Sequence, residues 1–258
     1  MPGGKVTVRS ILKRKGGEPI VMVTAYDYPT ARIVDEAGVD IILVGDSAAM
    51  VVHGYPSTLP ASLEMMEYHV AAVARAGPRA LVVGDMPFGS YEPGPREAVE
   101  AAIRLAKAGA EAVKLEGGSE YADRVREIVK AGVPVMGHIG LTPQRFLRLG
   151  GYRMQGRSRE EARIILEDAQ ALVDAGVFSI VIEFTDPDVA KRVTETVPVP
   201  TICIGSGPHC DGQVLVFHDI VGLSREAPPF AKKYADAYKL MVEAVATFVR
   251  EVREGKFP

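Results

Sequence analysis

Cysteine is nearly missing from this chain: Cys203 and Cys210 are the two among 258 residues. Two cysteines build no disulfide framework, and these form no CxxC pair with metal-ligand spacing, so a reducing, cytoplasmic setting is expected. Cys203, inside an apolar run, reads as a small buried hydrophobe. Also missing is any apolar stretch of about 18 residues. The basic N-terminal segment has no apolar run behind it, so neither export nor a membrane span is expected. Positive charge is not in excess either. Lys and Arg total 30 against 33 Asp and Glu, a net charge of −3, which excludes the strong positive field that nucleic-acid binding requires. No low-complexity linker divides the sequence, and about 250 residues is an ordinary length for one α/β barrel. A single domain spanning 1–258 is expected.

What is present is an alternation. Eight short β-branched apolar runs occur at Ile20–Ala25, Ile41–Val44, Ala80–Val83, Ala112–Leu115, Val135–His138, Ser179–Ile182, Thr201–Ile204 and Val214–Phe217. Runs apolar at nearly every position suit strands of a parallel sheet buried on both faces. Segments of helical period separate them. Ser62 opens one that Gly77-Pro78 stops, Pro95 opens another that Gly109 caps, and two more run from about Ser119 to Ala131 and from Ser158 to Ala175. Strand and helix repeated eight times predict a (β/α)8 TIM barrel. About nine residues separate the seventh and eighth runs, so the seventh helix is expected to be missing or a single turn. Residues before Ile20 should form a short helix closing the barrel bottom, and Phe230 to about Arg253 the last helix. Long connections follow the second and fifth runs and are candidates for building a site.

The carboxyl ends of barrel strands meet at one mouth, where polar residues are the default functional candidates. Val44-Gly45-Asp46 and Val83-Gly84-Asp85 repeat one pattern. In Val113-Lys114-Leu115-Glu116 the i, i+2 spacing sets Lys114 and Glu116 on one face, with Val113 and Leu115 facing the helices. The fifth run ends at His138 and the sixth at Glu183. Carboxylates gathered in one mouth repel each other unless a cation lies between them. Mg²⁺ suits an all-oxygen set and is usually held by one or two carboxylates. Asp46 and Asp85 are the natural pair, with Glu116 as a direct or water-mediated third ligand.

Plainer readings exist for each residue. An Asp after a strand can cap a turn, Lys114 and Glu116 can form a structural ion pair, Glu183 can pair with an Arg of the fifth loop, and His138 can be a satisfied core histidine. His53, His69, His209 and His218 have no spacing that suggests a ligand set. Gly205-Ser206-Gly207 fits a tight turn at least as well as a phosphate loop.

The segments TAYDYPTARIVDEAGVD, VGDSAAMVVHGY with STLP, GDMPFGSY, AVKLEGG, VMGHIGLTPQ with GGYRMQGR, IVIE and GSGPHCDGQVLVFHDIVGL, taken in order, resemble the ketopantoate hydroxymethyltransferase family essentially end to end. The resemblance implies a (β/α)8 barrel, a bound Mg²⁺, and 5,10-methylenetetrahydrofolate as cosubstrate. It implies hydroxymethyl transfer to 3-methyl-2-oxobutanoate through a Mg-stabilised enolate, giving 2-dehydropantoate for pantothenate and coenzyme A synthesis. Asp46, Asp85 and Glu116 look like the metal set, Asp46, Ser47, Asp85 and Lys114 like the residues lining the oxo acid, and Glu183 like the proton acceptor. His138 matches a pocket histidine. A homo-oligomer is implied, expected to be a decamer with contacts from the first and last helices. Ala48-Ala49, Pro56 and Phe184 depart from the family pattern without touching these side chains. The rival readings are a Mg²⁺-dependent carbon–carbon lyase of the phosphoenolpyruvate and isocitrate lyase type, and a non-catalytic barrel that binds a small acid.

Overall fold

Eight apolar runs pair in parallel and in sequence order into a closed barrel, β1-β2-β3-β4-β5-β6-β7-β8. The structure is a computed structural model and describes residues 4–151, 153–224 and 227–258. Tyr152, part of the long fifth connection, lies outside the described residues. The strands are β1 Ile20–Thr24, β2 Ile41–Val44, β3 Leu81–Asp85, β4 Ala112–Glu116, β5 Val135–Gly140, β6 Ser179–Glu183, β7 Thr201–Ile204 and β8 Gly212–Leu215.

Helices cover the strands, and their ends obey local chemistry. They are α1 Val8–Leu12, α2 Tyr28–Glu36, α3 Ala48–Val51, α4 Leu63–Ala74, α5 Pro95–Ala108, α6 Ala122–Lys130, α7 Phe146–Leu149, α8 Arg159–Ala175 and α9 Pro187–Thr196. Ser62 caps α4 by accepting from Met65 N, and Ser158 with Glu161 forms a capping box on α8. Pro95 occupies the first position of α5, and Gly109 and Gly176 close α5 and α8 in the left-handed conformation. Between β7 and β8 no helix forms, as the short spacing predicts.

Residue contacts divide the chain into two compact units, 1–214 and 215–258. In the first, Val6 and Ile11 join a core cluster with Ile20, Met22, Ile41, Leu43, Leu81, Val83, Ala112, Met136, Val181 and Ile202. The N-terminal segment therefore plugs the barrel bottom. Charges fasten it there, with Lys5 to Glu111 at 2.6 Å, Arg14 to Asp40 at 2.9 Å and Lys15 to Asp211 at 2.9 Å. Each of those acids precedes a strand. The second unit holds α10 Phe217–Val221 and α11 Ala237–Arg253. Along α11 no residue is buried, and Leu240, Met241, Val245 and Phe248 are exposed.

Three expectations need correction. β8 begins two residues earlier than its apolar letters suggest and stops before Phe217, which opens α10. Backbone anchoring sets that start, because Ile20 N donates to Asp211 O at 2.9 Å. The last helix begins at Ala237 rather than Phe230, where Asp236 caps it by accepting from Lys239 N. Cys203 is not a free buried thiol: it forms a disulfide with Cys210, their Cα atoms 5.7 Å apart. The seven-residue connection turns back on Gly205 and Gly207, both at positive φ, and so brings the two cysteines within bonding range. Free-thiol reasoning therefore carries no information about compartment.

Candidate active site

The inward parity of the core continues to the strand ends. Leu81, Val83 and Asp85 share one face of β3, and Ala112, Lys114 and Glu116 share one face of β4. The first two members of the β3 set, and Ala112 of the β4 set, lie in the core cluster; the last members form a polar layer above it. Register aligns that layer: Asp85 pairs with Lys114, Glu116 with His138, and Gly140 with Glu183. Asp46 and Ser47 follow β2 after Gly45. The seven residues singled out by sequence are thus brought to one mouth.

Burial makes this layer electrostatically demanding. Asp46, Asp85, Lys114, Glu116 and His138 are all at most 5% exposed, while the Glu183 side chain is 18% exposed. Lys114 Nζ lies 2.8 Å from Asp85 Oδ1, 3.9 Å from Glu116 Oε1 and 3.3 Å from His138 Nδ1. The ammonium is therefore paired chiefly with Asp85 and not with its strand neighbour Glu116. Burial pulls Lys114 down, but Asp85, Glu116 and Asp46 outweigh it and hold the ammonium above its ordinary range. Burial, reinforced by the Asp85 charge, pushes Asp46 up to about 7 against the opposing pull of Lys114 and Gln144. Glu116 is likewise pushed well up, first by burial. His138 is pushed down by burial and by Lys114, which favours its neutral form.

A neutral His138 has one tautomer that serves both neighbours. Lys114 donates to Nδ1, leaving the proton on Nε2, which faces Glu183 Oε2 at 3.3 Å. Glu183 thus has His138 as its partner, not an arginine of the fifth loop. Asp85 Oδ1 is matched by the Lys114 ammonium alone, and the buried His138 Nε2 makes no hydrogen bond of good geometry. A buried polar atom left short in this way is compatible with a ligand or catalytic role at the mouth. Among the described residues no group of three or more His, Cys, Asp or Glu side chains encloses a metal position. A pair of carboxylates nevertheless suits Mg²⁺, an ion that usually draws its remaining ligands from water and substrate oxygens, and the lack of sulfur among these side chains disfavours softer ions.

Backbone geometry fixes Glu183. Its carbonyl accepts from Leu141 N at 2.8 Å and from Thr185 Oγ1 at 2.9 Å, and Phe184 beside it holds φ 37°, a strained value for a bulky residue. Gly140, at φ 89°, has no space for a Cβ, which would strike Thr185 Oγ1 and Glu183 O. Gly140→Ala is expected to cost about 3 kcal/mol in urea unfolding, strain and overpacking together. A loss under about 0.5 kcal/mol, typical of a neutral surface change, contradicts this packing.

Sequence reasoning passed over several contacts. Gln144 and Tyr91 reach into the acidic layer from loops. At the rim, His53 Nε2 and His69 Nε2 meet at 2.9 Å, His69 Nδ1 donates to Tyr26 O at 2.6 Å, and Tyr26 Oη bonds Ser47 Oγ at 2.8 Å. Ser206 is consumed by structure, donating to Ile182 O and accepting from Thr185 N. The Gly205–Gly207 run is a turn fastened to β6.

Fold and site together define a (β/α)8-barrel enzyme with its polar machinery at the carboxyl ends of the strands. The family model for ketopantoate hydroxymethyltransferase matches residues 5–258, and this chain belongs to that family of hydroxymethyltransferases. The 3-methyl-2-oxobutanoate hydroxymethyltransferase of Aeropyrum pernix is 68% identical over 258 residues, covering 100% of this chain and 94% of that protein. The protein of the same name from Ignicoccus hospitalis is 66% identical over 255 residues, covering 98% and 97%. Among solved structures, 2,3-dimethylmalate lyase, a PEP mutase/isocitrate lyase superfamily member, is 19% identical with a TM-score of 0.62, covering 97% of this chain and 87% of that one. Phosphonopyruvate hydrolase, solved with oxalate and Mg²⁺, is 15% identical with a TM-score of 0.63, covering 96% and 87%. These two likenesses concern the fold.

Proposed function

We propose that this chain transfers a hydroxymethyl group from 5,10-methylenetetrahydrofolate to 3-methyl-2-oxobutanoate. With one water consumed, the products are 2-dehydropantoate and tetrahydrofolate, the first committed step toward pantothenate and coenzyme A. The observation that carries this reading is the run of contacts Asp85–Lys114–His138–Glu183 across neighbouring strands, in a chain whose relatives are named for acting on 3-methyl-2-oxobutanoate.

Asp46 and Asp85 would hold Mg²⁺, with Glu116 beside them as a third carboxylate. When bound, Mg²⁺ acts as a Lewis acid on the oxo acid and acidifies the C–H next to its ketone. Lys114, buried and permanently charged, offers a fixed positive charge to the substrate carboxylate or to the developing oxyanion, with no reorganisation during reaction. Ser47, held by Tyr26 at 2.8 Å, donates toward the same group. Glu183 accepts the C3 proton, with His138 Nε2 lying 3.3 Å from its carboxylate. The enolate formed attacks the folate methylene, and water completes the hydroxymethyl group as tetrahydrofolate leaves. The working form is a single catalytic domain, 1–258, in a cytoplasmic homo-oligomer, expected to be a decamer. The exposed apolar face of α11 supports self-association.

Incubation with 3-methyl-2-oxobutanoate, 5,10-methylenetetrahydrofolate and Mg²⁺ is expected to yield 2-dehydropantoate by NMR, and EDTA or omission of folate to stop it. A lyase predicts carbon–carbon cleavage of a 2-hydroxy acid without folate, and a binding-only barrel predicts no turnover. Either result overturns the proposal.

A further inference from the structure

Asp46, Asp85 and Glu116 each have one carboxylate oxygen tied to an N–H donor, and two of those three donors belong to a single loop residue. Asp85 Oδ2 accepts from the backbone N–H of Asp46 at 3.1 Å. Glu116 Oε2 accepts from the backbone N–H of Gln144 at 3.0 Å. Asp46 Oδ2 accepts from the Gln144 side-chain amide at 2.9 Å. Gln144 sits in a 3₁₀ turn, Pro143–Arg145, just after β5, and is 2% exposed.

The orientation of that amide is determined. Gln144 Nε2 also donates to Met86 O at 3.0 Å, and its Oε1 accepts from the Tyr91 hydroxyl at 2.6 Å. A flipped amide would turn Oε1 against a carboxylate and a carbonyl, two acceptors, and leave Nε2 facing Tyr91. Tyr91 is itself buried and anchored on β4, within 3.1 Å of Glu116 O and 3.3 Å of Glu116 N. One loop residue thus ties the carboxylates of Asp46, after β2, and Glu116, on β4, to the backbone just past β3, with Tyr91 holding it.

Hydrogen bonds donated to one oxygen of a carboxylate favour its charged form and fix its plane, leaving the second oxygen for another partner. For Glu116 and Asp85 the second oxygen is the one facing Lys114. Groups that orient metal-binding side chains in this way typically change metal affinity 10–100-fold when removed.

We propose that Gln144 is a positioning residue for the divalent cation: its backbone and side-chain N–H groups each pin one oxygen of Glu116 and Asp46 and so fix the planes of these carboxylates, and Tyr91 orients the amide. The proposal rests on the metal reading of the mouth. It also makes the loop after β5 part of the cation site, so that the fold of this loop and cation affinity are linked.

Mn²⁺ titration of the full chain, followed by electron paramagnetic resonance, tests it. Gln144→Met keeps the length and removes the side-chain donors, and is expected to raise the Mn²⁺ Kd by about 10–100-fold. The same variant should raise the KM for Mg²⁺ while kcat at saturating Mg²⁺ stays near wild type, a split that general loss of structure does not produce. Tyr91→Phe, which leaves Gln144 in place, is expected to weaken Mn²⁺ binding by a few-fold, and it carries the test if Gln144→Met fails to fold. Wild-type Mn²⁺ affinity in Tyr91→Phe and in folded Gln144→Met overturns the positioning role. Failure of the unmodified protein to bind Mn²⁺ overturns instead the metal reading beneath it.

Discussion

Glu183→Gln is expected to slow exchange of the C3 hydrogen of 3-methyl-2-oxobutanoate by at least about 100-fold, the usual contribution of a general base, while Mg²⁺-dependent binding of the oxo acid persists. Gln has the shape of Glu and lacks only the basic oxygen. The backbone around it is held by Leu141 N and Thr185 Oγ1, so the substitution leaves the strand end in place. The 18% exposure of this side chain, against near-complete burial of its neighbours, suits a group that meets a substrate rather than one that only balances charge. Deuterium uptake from D₂O, read by proton NMR without folate, isolates this step from hydroxymethyl transfer. Unchanged exchange removes Glu183 from the role of base.

Asp46→Ala and Asp85→Ala are each expected to abolish metal-dependent oxo-acid binding, but their structural costs differ. Asp85 is the principal partner of the buried Lys114 ammonium, at 2.8 Å. Removing it strands that charge in a dry site, a loss of about 3–5 kcal/mol for a broken buried pair. Asp46 interacts instead with the Gln144 amide, and its removal relieves repulsion with Asp85. Asp46→Ala should therefore lose binding with the smaller loss of stability. Calorimetric titration of the oxo acid with and without Mg²⁺, beside urea unfolding, separates the two effects. Metal-dependent binding retained in both variants contradicts the assignment.

The barrel was legible because most strands are largely apolar and several helices carry their own start and stop, such as Ser62, Pro95 and Gly109. The i, i+2 rule also placed Lys114 and Glu116 on the face that β4 turns inward. Local pattern is silent on partners distant in sequence. Gln144 meets Asp46 across 98 positions and Tyr91 across 53, and neither lies in a periodic segment. The disulfide depends on how tightly the chain turns between β7 and β8, which two cysteine letters do not encode. The β8 start was obscured by Gly212 and Gln213, which lack apolar character but pair with Ile202 and Cys203. The plainer reading of Lys114 paired it along its own strand with Glu116. Register across the sheet brought Asp85 closer.

A crystal structure of the protein soaked with Mg²⁺ and 3-methyl-2-oxobutanoate tests the central claim most directly. The expected result is an ion about 2.0–2.1 Å from carboxylate oxygens of Asp46 and Asp85, the keto acid on its open side, and the Glu183 carboxylate facing C3 of the substrate. An ion bound away from both aspartates, or an oxo acid seated with C3 turned from Glu183, contradicts it.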